Sequence, residues 1–121
     1  MPVRGVRGAI VIDQNLSQDI LLGTIELLQA ILAANPEMRL EDIGSAIFSA
    51  TEDLTSEFPA RAAREMGWNS VPLMCTREMP VPGSVERCIR VLLHWNTEIP
   101  QSAIHHVYLG GASELRPDLK H

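Results

Sequence analysis

The chain has 121 residues, a formal net charge of −5, 45% hydrophobic residues and 21% charged ones. That length supports one domain over residues 1–121 with a hydrophobic core of its own. The acidic balance disfavours a generic nucleic-acid or anionic-membrane partner, because both need a basic field; an aromatic share of 4% argues against base-stacking platforms.

Residues 2–12, PVRGVRGAIVI, alternate loosely and are rich in β-branched side chains, which predicts a first strand interrupted by Gly5 and Gly8. Alternation sets Arg7 on the same face as Gly5, Ala9 and Val11; a strand-end arginine reaching solvent is the plain alternative. Asn15 offers a helix N-cap, with Gln18 as its capping-box partner. Leu16, Ile20, Thr24, Leu27 and Ile31, interleaved with Leu21, Ile25, Leu28 and Leu32, then give the wide apolar stripe of a long helix over about 17–34. It should end near Asn35-Pro36 and cover one face of a sheet.

Leu40 to Asp42 predicts a short turn or helix, Ile43 to Ala50 a buried strand, and Thr51 to Phe58 a loop. Pro59 suits the first turn of a second helix, about 59–66, which Gly67 ends. Arg61 and Arg64 share a face of that helix, where a solvated pair is the plain reading. Strands are predicted over Val71 to Met79 and Val85 to Asn96, joined by a turn containing Pro80, Pro82 and Gly83. On the latter strand, alternation places Cys88, Arg90, Leu92 and His94 on one face and Ile89, Val91, Leu93 and Trp95 on the other. His105 to Leu109 predicts a short fifth strand carrying Tyr108, and residues 110–121 a tail held as a turn over the surface.

Cys75 and Cys88 form no disulfide framework, and the apolar run Ala9 to Ile12 is far too short for a secretory signal, so the expected compartment is the cytoplasm with free thiols. No run approaches the roughly 20 apolar residues of a membrane span. The four histidines, His94, His105, His106 and His121, have no metal-ligand spacing, and neither metal nor cofactor is expected. Nine of the ten basic residues are Arg, the exception being Lys120. Arginine's planar fork matches carboxylates, although a codon bias would produce the same excess.

The strands together supply Arg7, Cys75, Glu78, Arg90 and Tyr108. No nucleophile and base grouping and no Gly-rich phosphate loop accompanies them. Charge inside strand-like segments must be paired, at an edge, or used. Anion-binding donors with one acceptor fit a ligand with two carboxylates and a hydroxyl. Alternation sends Cys75 and Glu78 to opposite faces, so if both reach one ligand the strand must bulge or end between them, or Cys75 must act through its backbone.

The opening VRGVRGA, the segment TEDLTSEFPARAARE, the turn CTREMPVPGS, the strand CIRVLLHWNT and the ending HHVYL…LRPDL resemble, over nearly the whole chain and in the same order, the monofunctional chorismate mutases of the trimeric bacterial α/β-barrel (Bacillus) type. The resemblance implies an α+β fold, a mixed five-stranded β-sheet with one long and one short helix, three copies forming a pseudo-α/β-barrel core. It implies rearrangement of chorismate to prephenate, in phenylalanine and tyrosine biosynthesis, at clefts between subunits of a homotrimer. By position, Arg90 would donate to the ether oxygen and a carboxylate, Arg7 and Tyr108 would bind carboxylate, and Glu78 and Cys75 would contact the ring hydroxyl. Phe58, Ala60, Arg61 and Arg64 would border the cleft from an adjacent subunit, and Leu115 and Arg116 would close over it. Met74 stands where some relatives carry a hydroxyl residue. The alternatives are a non-catalytic small-carboxylate-binding or interaction protein on the same trimeric fold, and an imine-deaminase-like enzyme.

Overall fold

The computed structural model describes residues 1–114, with the side chains of 113 and 114 left aside. Five strands, β1 (Val3–Val11), β2 (Ile43–Ala50), β3 (Leu73–Arg77), β4 (Cys88–Asn96) and β5 (Val107–Leu109), form one sheet in the order β3-β2-β4-β1-β5. β4 runs antiparallel to both β1 and β2, whereas β3 and β5 join as parallel outer strands. The sheet is therefore mixed, and helices α1 (Ser17–Ala34) and α2 (Ala60–Glu65) complete the expected α+β content.

α1 lies along the sheet because its inward stripe, Ile20, Thr24, Leu27, Leu28 and Ile31, meets Val6, Ile10, Phe48, Val91 and Leu93 in one core. By length and hydropathy α1 could also cross a bilayer, a property not anticipated from the apolar runs, but here the sheet takes up its inward stripe. β1 is not interrupted by its glycines. Gly8 instead lets it pass close beneath α1, since a Cβ there would sit 2.6 Å from Cδ1 of Ile31. Gly67, at φ +90°, ends α2 in the left-handed conformation that favours glycine.

Two local expectations change. Asn15 does not cap α1: Leu16 occupies the cap position without a side-chain bond. The Asn15 side chain is drawn instead to the loop before α2, where Oδ1 accepts from the backbone N–H groups of Thr55 (2.9 Å) and Ser56 (3.1 Å) and Nδ2 donates to Thr55 Oγ1 (2.9 Å). Satisfying three groups of a distant loop outcompetes a single helix cap. The third and fourth strands are also shorter than predicted, since the turn between them begins before Met79 and ends at Cys88. Beyond β5 the chain forms a 3-10 turn, Gly110–Glu114, that buries Ala112. Leu115 and Arg116 lie outside the described residues.

Candidate active site

Arg90 sits near the start of the central strand, and sheet register decides what surrounds it. Ala9 pairs with it on one side and Ser49 on the other. Tyr108 lies beyond Ala9, and Thr76 beyond Ser49. Paired residues share a face, so these five make one row across the whole sheet. Arg7, Leu92, Ile47 and Met74 make the adjacent row. Both rows lie on the face turned away from α1.

An open pocket of ≈ 490 Å³ occupies this face, lined by Arg7, Ser49, Glu78, Arg90, Leu92 and Tyr108 among others. Glu78 follows directly on β3: its N–H donates to the Ala50 carbonyl (3.0 Å), and its carboxylate accepts from the Ser49 hydroxyl. Arg90 Nε lies 3.7 Å from Glu78 Oε2, close enough for charge attraction but too far for a hydrogen bond. Among the described residues, Arg90 Nε and Tyr108 Oη are buried with no hydrogen-bond partner. Buried donors are almost always satisfied, so these two atoms are hydrogen bonds left open in the single chain, at the edge of the pocket that both residues line. Ala9, between them in register, is fully buried, and Tyr108 packs against its cluster.

Cys88, Ala9 and Ala112 form a small second core on the same face of the sheet as the pocket. Burial pushes the Cys88 thiol above its ordinary pKa, opposed in part by Arg90. Cys88 is thus a packed neutral side chain. Among the described residues no group of three or more His, Cys, Asp or Glu is gathered to hold a metal.

Other predicted residues gather elsewhere on the chain. Glu78 shares the side of Thr76, whereas Cys75 pairs with Phe48 and packs on the α1 side. Alternation therefore prevails, and the Cys75 side chain does not reach the pocket of its own chain. Cys75 and Phe58 instead line a second pocket of ≈ 490 Å³ between the end of β3 and the loop before α2. Phe58 is 67% exposed, and Ala60 is buried in the main core. Arg61 donates to Glu57 (2.6 Å) and Glu65 (2.8 Å), which raises its pKa, while Arg64 is exposed on the same helix. Glu57 is held below the usual carboxylate range by the Phe58 N–H, then by Ser17 and Arg61.

Sequence reasoning passed over Ser49 and Ile47. Their signal was present, since in IGSAIFSA the buried Ala46, Phe48 and Ala50 alternate with Ser45, Ile47 and Ser49. What was missing was the register that sets Ser49 beside Arg90.

The chain matches the family model for chorismate mutase type I over residues 3–119. It is 52% identical to chorismate mutase AroH of Thermus thermophilus over 118 residues, 98% of this chain and 97% of that one. With chorismate mutase AroH of Bacillus subtilis it shares 43% identity over 120 residues, 98% of this chain and 94% of the relative. A solved chorismate mutase from Clostridium thermocellum superposes with a TM-score of 0.88 at 45% identity, covering 91% of this chain and 97% of that one. A family model matching residues 3–119, with relatives 43% and 52% identical over 98% of the chain, settles its kinship: the chain belongs to the chorismate mutase type I family.

Proposed function

We propose that the chain, as a single chorismate mutase unit over 1–121, converts chorismate to prephenate in the pocket of Arg7, Glu78, Arg90 and Tyr108. The observation that carries the site assignment is the convergence of Arg7, Glu78, Arg90 and Tyr108, from four separate parts of the chain, on one pocket. In this [3,3] rearrangement the ether C–O bond breaks as a C–C bond forms, and negative charge gathers on the departing oxygen. No nucleophile, base or metal is required. The barrier falls when the substrate is held folded and a fixed donor meets that oxygen.

Arg90 fills that role, its fork donating to the ether oxygen and to a carboxylate. Arg7 and Tyr108 hold carboxylate. Glu78, oriented by Ser49, accepts from the ring hydroxyl. The cation pair offsets the substrate's two carboxylates in an otherwise acidic protein.

We further propose that the active form is a homotrimer with sites between neighbours. Met74, Met79, Val81 and Leu92, all exposed, lie on or beside the pocket-bearing face, and the outer strands β3 and β5 have uncovered edges among the described residues. A second copy covering this face would bring its Phe58 and Cys75 pocket against Arg7 and Arg90. Arg61 is already committed to two carboxylates, so Arg64 is the better placed of that helix's cations to reach an anion across the interface. The two free thiols fit the cytoplasm as compartment.

The test is loss of chorismate absorbance with purified protein, without metal or cofactor, alongside sedimentation to give the mass. No turnover by folded protein would sink the enzyme reading, and full activity in a monomer would sink the shared site.

A further inference from the structure

Glu78, just past the end of β3, and Arg90 on β4 lie on either side of β2, and one short loop after β2 is bonded to both ends of the pair. On the Glu78 side, Arg77 Nη1 donates to the carbonyls of Thr51 (2.8 Å) and Leu54 (2.9 Å). On the Arg90 side, the Cys88 N–H donates to Thr51 Oγ1 (3.0 Å) and the Thr51 N–H to the Cys88 carbonyl (3.0 Å). Thr51 Oγ1 in turn donates to Asp53 Oδ1 (2.5 Å).

Asp53 holds Arg87, the one non-glycine residue at positive φ among the described residues. Arg87, three residues before Arg90, has φ +49°, the left-handed region that non-glycine residues rarely occupy. Its N–H is received by both Asp53 oxygens, at 3.0 and 3.2 Å. Its Nε donates to the Ile12 carbonyl (3.0 Å), and its own carbonyl accepts from the Ile12 N–H (2.7 Å), extending the β1–β4 ladder past Cys88. Such a conformation persists only where its surroundings over-determine it. Here a carboxylate does so at the entrance of the strand that carries Arg90.

We propose that Asp53 is a positioning residue for the rearrangement: by clamping Arg87 and Thr51 it sets the separation of Arg90 from Glu78. Asp53 is not among the residues that line the pocket of Arg7 and Arg90. It acts through the backbone of β4, and a displacement of even 1 Å at a preorganised donor can cost on the order of 100-fold in rate. This inference rests on the pocket assigned above.

The experiment measures kcat, KM and Tm for Asp53→Ala and Asp53→Asn, with Arg90→Lys as control. Asn keeps Oδ1, which receives Thr51 and the longer Arg87 bond, but sets an amide nitrogen against the Arg87 N–H in place of Oδ2, so Asp53→Asn should lose less kcat than Asp53→Ala, which loses about tenfold or more at temperatures where it is folded. Should Asp53→Ala fail to fold, Thr51→Val against Thr51→Ser reads the same clamp, with the kcat loss expected only in Val. A change confined to Tm or to KM overturns the proposal. If Arg90→Lys keeps its kcat, the pocket assignment itself has failed; if Arg90→Lys is impaired and Asp53→Ala turns over normally, only the clamp has failed.

Discussion

Arg90 and Tyr108 flank Ala9 from opposite sides, one through the antiparallel β1–β4 ladder and the other through the parallel β1–β5 ladder. Each has a buried polar atom without a partner among the described residues, and the smallest chiral side chain separates them. Backbone register thereby brings both residues to the lining of one pocket.

Replacing Arg90 by Lys should lower kcat by at least about 100-fold, the scale seen when one preorganised donor is lost, because Lys keeps the charge but not the fork. Steady-state kinetics on chorismate check it. A near-normal kcat would remove Arg90 from its assigned role.

Tyr108→Phe removes an atom that has nothing to bond in the free protein. Thermal stability should hold or rise slightly, while KM increases by roughly tenfold, the value of one hydrogen bond to a charged group. Loss of stability with unchanged KM would mean that the hydroxyl serves the fold.

Gly8→Ala should be destabilising, since its Cβ would meet Ile31 Cδ1 at 2.6 Å, with Leu27 and Val91 also in contact. Overpacking of this kind costs about 1–3 kcal/mol, read as a lowered urea midpoint at constant m. Pairing the variant with Ile31→Val should recover part of the loss.

Acid should loosen the loop before α2. The folded-state pKa of Glu57 is depressed, chiefly by the Phe58 N–H and then by Ser17 and Arg61, so the unfolded chain takes up a proton first as pH falls. The stabilisation is present above the ordinary carboxylate pKa of about 4.3 and is lost as pH drops through the folded value. Denaturation profiles of the parent and Glu57→Gln between neutral and acidic pH should converge at the acid end. Parallel profiles would show that Glu57 does not carry the effect.

Leu92→Glu places a carboxylate in the row of Arg7 and Met74, on the face proposed to meet a neighbouring copy. Sedimentation should report dissociation, and turnover should fall with it. An intact trimer bearing this substitution would show that the face points elsewhere.

Long-period patterns were legible before any coordinates. The stripe from Ile20 to Ile31 located α1, expected over about 17–34 and found at Ser17–Ala34, because burial of one helix face imposes its spacing on the sequence. The alternation of Cys88, Arg90 and Leu92 against Ile89, Val91 and Leu93 correctly sorted the two faces of β4. The cap at Asn15 was misread because its true partners, Thr55 and Ser56, lie forty residues away. The ends of β3 and β4 were overrun because their apolar residues continue into a turn that makes no ladder.

The sequence by itself determined which elements form, which side chains share a strand face, and through several motifs the family to which the chain belongs. Local periodicity and composition suffice for these because each reflects burial of a single element. Only the tertiary structure decided that Ser49 and Ala9 flank Arg90 and that Glu78 comes within 3.7 Å of it. Those relations depend on register between strands distant in the chain, which packing of the whole sheet sets and no local pattern encodes.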